Sequence, residues 1–135
     1  MMIPGTRNLI APRWATFKHT IRYKNLNLTG ATFRTHIRRN WDALGAPLIN
    51  LTNAAAGAQG ISIVTVTDAE GTHSDVTIQI DEANIETLEP PATSGVSPGA
   101  DVPLVWDLHI TPSGGTKYVS LRGTFTIQAG STQNG

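Results

Sequence analysis

The run LVWDLHITPSGGTKYVSLRGTFTI, from Leu104 to Ile127, alternates apolar and polar side chains twice, and its two halves meet at Pro112-Ser113-Gly114-Gly115. A period of two places successive side chains on opposite faces, so each half reads as a strand with one face to bury. Leu104, Trp106, Leu108 and Ile110 share that face in the first half. Val119, Leu121, Gly123, Phe125 and Ile127 share it in the second. A hairpin of this kind is not stable alone, and its apolar face requires a second layer of structure.

The rest of the chain offers the strands for that layer. Trp14 to Tyr23 alternates, with Ala15, Phe17, His19, Ile21 and Tyr23 on one side, and Ala31 to Arg39 repeats the pattern with Arg34, His36 and Arg38 outward. These two segments, separated by the turn-like KNLNLTG, are expected to form a hairpin. Pro47 to Thr52 reads as a short strand. Ile61–Thr67 and Ser74–Ile80 read as another hairpin about DAEGTH, whose Asp68 and Gly71 carry turn chemistry. In DEANIETLEPP, acids lead, Ile85 and Leu88 are three apart and a double proline ends the run, which predicts one or two helical turns. About seven strands punctuated by turns predict an all-β, immunoglobulin-like antiparallel sandwich with one short helical turn. Residues 1–13, with no clear period, read as an N-terminal docking arm, 14–128 as the sandwich and 129–135 as a tail.

At 135 residues the chain suits one domain with one core, and with no cysteine its stability must come from packing. No signal-like or membrane-spanning apolar run is present in the sequence, so a product of the cytoplasm is expected, with no membrane partner. The formal net charge of zero makes nucleic acid an unfavoured partner. That zero conceals a segregation. Residues 1–41 hold eight basic and no acidic residues, and 42–110 hold all ten acids and no Lys or Arg, with Lys117 and Arg122 completing the balance. Cross-strand neutralisation and a bipolar surface for other subunits both follow from such a pattern.

Few residues suggest chemistry. His19, His36, His73 and His109 lack the close spacing of a metal site, and no Gly-x-Ser-x-Gly elbow accompanies the serines. Asp81, Glu82, Glu86 and Glu89 fit the start of a helical turn better than carboxylate catalysis or calcium. The sequons at Asn27 and Asn50 matter only in a secreted eukaryotic protein. Trp14, Trp41 and Trp106 are spread singly, as core or rim residues are, although grouped on one face they would make a sugar-stacking platform. No enzyme activity, metal, cofactor or small-molecule substrate is expected.

The order of the pieces carries a resemblance. FKHTIRYKN, NLNLTGATFRTHIRR, the hairpin ISIVTVTDAEGTHSDVTIQI, the turn DEANIETLEP and the closing PLVWDLHITPSGGTKYVSLRGTFTI resemble small virion proteins of tailed bacteriophages. Their immunoglobulin-like domains are similar to the N-terminal domain of phage baseplate upper proteins. Leu28-Thr29-Gly30-Ala31, Trp106 to Ile110 and Arg122 to Ile127 match in residue type and order, and the match spans about residues 15 to 128. The arm and the long loop PPATSGVSPGADVP are this chain's own. The resemblance implies a structural virion subunit, an adaptor or accessory protein for fibre or baseplate attachment or for capsid or neck decoration. Its partners would be other virion proteins and copies of itself. Ile3, Leu9 and Ile10 would lie on a neighbour, and Arg7, Arg13, Arg34, Arg38 and Arg39 would meet acidic surfaces. A carbohydrate-binding or adhesin-like module touching the host surface is the alternative.

Overall fold

The computed structural model describes residues 5–12, 15–41, 46–86, 88 and 102–128. The closing hairpin forms as the alternation requires, from β8 (Val102–Thr111) and β9 (Tyr118–Gln128). It sits in the larger of two sheets. There β8 also pairs with β4 (Thr32–Arg38), and β4 pairs with β5 (Ile49–Thr52), all antiparallel. The smaller sheet places β7 (Gly71–Ile80) between β3 (Phe17–Tyr23) and β6 (Gly60–Asp68). The two layers enclose a core in which Phe33, Ile37, Leu104, Trp106, Leu108, Ile110 and Phe125 of the large sheet meet Phe17, Ile21, Ile61, Val76, Ile78 and Ile80 of the small one. The result is an immunoglobulin-like all-β sandwich.

The expected hairpin between β3 and β4 does not form, because the two strands belong to different sheets. Alternation fixes which face of a strand is buried but not which strand lies beside it, and two such strands satisfy their apolar faces equally well across a core. The connection shows how the crossing is made. Leu28 and Ala31 are buried in it, as residues of a chain passing between layers must be. The small sheet supplies polar groups for its backbone: Ser74 Oγ accepts from the Leu28 N–H at 2.9 Å and donates to the Leu26 carbonyl at 2.8 Å. The Asn25 N–H donates to His73 Nδ1 at 3.0 Å. With Nδ1 an acceptor, His73 presents its proton on Nε2 to Asp68, 3.0 Å away. Two buried polar side chains thereby satisfy a loop that would otherwise leave amides unpaired in the interior.

The closing hairpin contains an irregularity invisible to periodicity. Leu108 lies opposite Leu121 but His109 lies opposite Val119, so Ser120 is an extra residue in β9. A bulge shifts the alternation by one. Val119 therefore shares a row with outward-facing His109 rather than with the core, and Tyr118 packs against the core instead. The bulged Ser120 is used: its hydroxyl is 2.7 Å from that of Tyr23 on β3, a bond from one sheet to the other.

Residues 5–12, expected as an arm outside the sandwich, run instead as β1 (Gly5–Thr6) and β2 (Leu9–Pro12), parallel to β9 and in one unbroken register with it. Leu9 and Ala11 are 4% and 0% exposed and belong to the core, so the two strands are an integral edge of the large sheet. Four residues holding a proline are too few to display a period. Between β1 and β2 the chain breaks its strand at Arg7 and Asn8. There Arg7 N–H donates to the Arg122 carbonyl at 3.0 Å, Thr124 N–H donates to Asn8 Oδ1 at 3.1 Å, and the buried Trp106 indole N–H donates to the Arg7 carbonyl at 2.8 Å. Gly123, directly opposite Trp106, leaves the room for this, since a Cβ there would collide with the Arg7 carbonyl.

The remaining predicted elements take their places. α1 (Glu82–Glu86) is the short helical turn, and Ile85 and Leu88 cover one end of the core. Asn53 holds the start of β4, with Oδ1 accepting from Phe33 N–H at 2.7 Å and Nδ2 donating to the Ala31 carbonyl at 3.0 Å. The tail 129–135 lies outside the described residues, as does most of the loop PPATSGVSPGADVP.

Two substitutions test this packing. Gly123→Ala is expected to lower unfolding free energy by about 2–3 kcal/mol, a cost typical of forcing a methyl into a filled site, with amide protection lost first at residues 5–12. Thr35→Val is expected to act in the opposite direction. The Thr35 hydroxyl is buried on the inner face of β4 with no hydrogen-bond partner among the described residues, so its removal should stabilise by about 1 kcal/mol in urea melts.

Candidate functional site

The outer face of the large sheet gathers polar and cationic side chains that lie far apart in sequence. Each strand that buries its odd-numbered or even-numbered residues inward presents the others outward, and pairing aligns them in rows. One row runs from Asn50 through His36 and Asp107 to Arg122. The next runs from Thr52 through Arg34 and His109 to Val119. Asp107 is the sole carboxylate in these rows, and His109 Nε2 lies 3.3 Å from its Oδ2. The Arg122 guanidinium lies 4.3 Å over the ring of Trp41, which is 46% exposed just beyond β4. A guanidinium stacked on an aromatic keeps its N–H groups directed outward for another ligand.

At the end of this face, beside the β8–β9 turn, Thr32, Phe33, Arg34, His109, Thr111 and Lys117 line a cleft of about 150 Å³. A larger groove of about 450 Å³ lies between β2 and β3, lined by Leu9, Ile10, Pro12, Phe17, Lys18 and His19 among others. Among the described residues no group of three or more His, Asp or Glu is placed to hold a metal ion.

The residues expected to meet partners divide sharply. Arg34 and Arg38 lie on the outer face of β4, and Arg39 is exposed just past its end. Ile10 is 61% exposed on β2, whereas Leu9 is buried in this chain's own core and is not free to meet a neighbour. Arg7 turns toward the other sheet, its guanidinium 3.0 Å from His19 Nε2. Ile3 and Arg13 are outside the described residues. Arg122, Lys117, His36, His109 and Trp41 join the cationic face without having been singled out. The outward placement of His36 on β4, His109 on β8 and Arg122 on β9 was readable, but their convergence with Arg34, Lys117 and Trp41 depends on strand order and the bulge. Of the tryptophans, Trp106 is in the core and Trp14 is outside the description.

Charge segregation along the chain is resolved in part by pairing across strands. Arg22 on β3 lies opposite Asp75 on β7 and grips it with two bonds of 2.8 and 2.9 Å, which hold the Asp75 carboxyl below its ordinary range. The histidines respond to burial. His19 is lowered, first by burial and then by the Arg7 charge. His36 is also lowered by burial, with Asp107 opposing and Arg38, Arg34 and His109 adding to the depression.

A base held neutral in the folded state binds its proton more readily in the unfolded chain, so the unfolded state gains protons first as pH falls. The stability contributed by neutral His19 and His36 is thus complete above about 6.5, the unfolded value, and is lost progressively below it. Denaturation midpoints measured at pH 7.5, 6.5 and 5.5 should fall with acidification, and His19→Gln with His36→Gln should flatten that slope. An equal slope in wild type and double variant would refute the assignment.

No protein-family model and no curated protein matches the chain. Among solved structures it is similar to the periplasmic chaperone SfaE, at 12% identity with a TM-score of 0.42. The alignment covers 96% of this chain and 56% of the chaperone chain, so this chain spans little more than half of that structure's length. What fold and face define together is an immunoglobulin-like sandwich with a cationic outer sheet face.

Proposed function

We propose that the protein is a structural virion subunit of a tailed bacteriophage, made in the host cytoplasm and carried in the particle as an adaptor or accessory protein. The observation that carries this reading is the ordered set of sequence pieces from the Phe17 strand to the RGTFTI end that resembles phage virion immunoglobulin-like domains. An exposed face bearing Arg34, Arg122 and Trp41 supports a function in protein contact, because Arg and Trp are enriched where interfaces hold most of their energy. Many weak contacts of this kind add by avidity in a symmetric particle. Attachment of fibres or baseplate parts and decoration of the capsid or neck are the roles such a subunit would fill. The sugar-binding alternative needs aromatic rings grouped on one face, and Trp106 is committed to the core while Trp41 is stacked with Arg122.

Mass spectrometry of purified particles, separated into capsids and tails, tests the proposal. The chain is expected in one fraction at a copy number matching that fraction's symmetry, and its absence from both fractions would sink the reading.

A further inference from the structure

The small cleft at the end of the cationic face has a composition that the fold does not need. Thr32 and Thr111 are register partners across β4 and β8, and so are Arg34 and His109, one row further along the outer face. Lys117, from the β8–β9 turn, also lines the cleft. Two cations, an imidazole and two hydroxyls therefore surround one space. The nearest carboxylate in these rows, Asp107, is already engaged by His109. Among the described residues, Arg34 and Lys117 form no ion pair with a carboxylate, in contrast to Arg22, which is matched to Asp75.

We propose that this cleft seats a carboxylate side chain from an acidic segment of a protein partner, with Arg34 and Lys117 as the charge partners and the threonine hydroxyls as further donors. Size supports this occupant. At about 30 Å³ for each water in the liquid, the cleft's 150 Å³ has room for about five waters, enough for the end of an Asp or Glu side chain. It is well below the roughly 300 Å³ at which small-molecule and cofactor sites begin. Arginine in particular offers a planar fork that matches a carboxylate with two parallel bonds. Charge argues for a protein rather than a nucleic acid. A phosphate backbone calls for a continuous cationic track, whereas this face carries Asp107 among its cations and the chain as a whole is neutral. Arg122, stacked on Trp41 elsewhere on the same face, is available to a second acidic residue of the same segment.

The inference rests on the assembly reading only in taking the partner to be a protein, and the isolated chain tests it without phage particles. A hexaglutamate peptide titrated into the full chain at low salt is expected to give saturable amide shifts centred on residues 32–34, 109–111 and 117, with weaker ones at Trp41 and Arg122. The double variant Arg34→Gln/Lys117→Gln should weaken binding about tenfold. Lys18→Gln/Lys24→Gln, which removes the same charge from exposed positions outside the cleft, should leave it within about twofold. Equal weakening by both pairs would reduce the effect to bulk charge and overturn the cleft. So would shifts that do not saturate. A short DNA duplex that perturbs the same amides at lower concentration than the peptide would overturn the choice of a protein partner. Particle fractionation can fail while this titration succeeds, and the reverse, so the two readings are judged separately.

Discussion

One hydrogen bond joins the N-terminal strands to the closing hairpin. The Trp106 indole donates to the Arg7 carbonyl at 2.8 Å, across the face of Gly123. A buried indole needs an acceptor, and Arg7 can supply one only because its strand is interrupted opposite a residue without a side chain. The same interruption lets Asn8 replace a backbone acceptor for Thr124 and sends the Arg7 guanidinium to His19 on the other sheet. Three residues thus fix the N-terminal strand in register, close the edge of β9 and tie the two layers together. Leu9 and Ala11 enter the core as a consequence of that register.

Other polar side chains act where the chain leaves its regular strands. His73 and Ser74 satisfy the crossing from β3 to β4, and Asn53 anchors the start of β4. Gln59 Oε1 accepts from both Asp81 N–H and Asn84 Nδ2, fastening the loop before β6 to the start of α1. Regular strands take care of their own amides, so specific side chains are needed only at the irregular crossings. Thr35 is the exception, a buried hydroxyl in the middle of a strand with no partner among the described residues.

Most of the strands were legible because each has a clean period of two and most bury one face. The alternation about Trp106, the β6–β7 hairpin and the Ile85–Leu88 turn all stand where their residues predict. Neighbour relations were not legible, since Phe17 to Tyr23 and Phe33 to Ile37 would bury their apolar faces in either pairing. The extra residue at Ser120 was hidden for a different reason: a bulge changes which face a residue occupies without changing its chemistry. The candidate site suffered from both effects. Arg34 and Arg38 could be placed outward from β4 alone, but grouping them with His109, Lys117 and Arg122 requires strand order together with the bulge. Leu9 was misassigned to a docking surface because a four-residue strand with a proline offers too little pattern to reveal a buried face.

The parallel edge also constrains how the fold can be reached. Leu9 pairs with Phe125, so the partner of β2 leaves the ribosome more than a hundred residues after β2 itself. Until then the N-terminal strand has no sheet to join, and Trp106 has no acceptor at Arg7. Closing so long a loop is entropically unfavourable and belongs to slow, non-local folding. The layers formed by β3 to β8 can associate during synthesis, but β9 must arrive before the N-terminal strand can dock. A nascent chain stalled before Phe125 would carry an unpaired β8 edge and an unattached N-terminal strand, both open to pairing with a neighbouring copy.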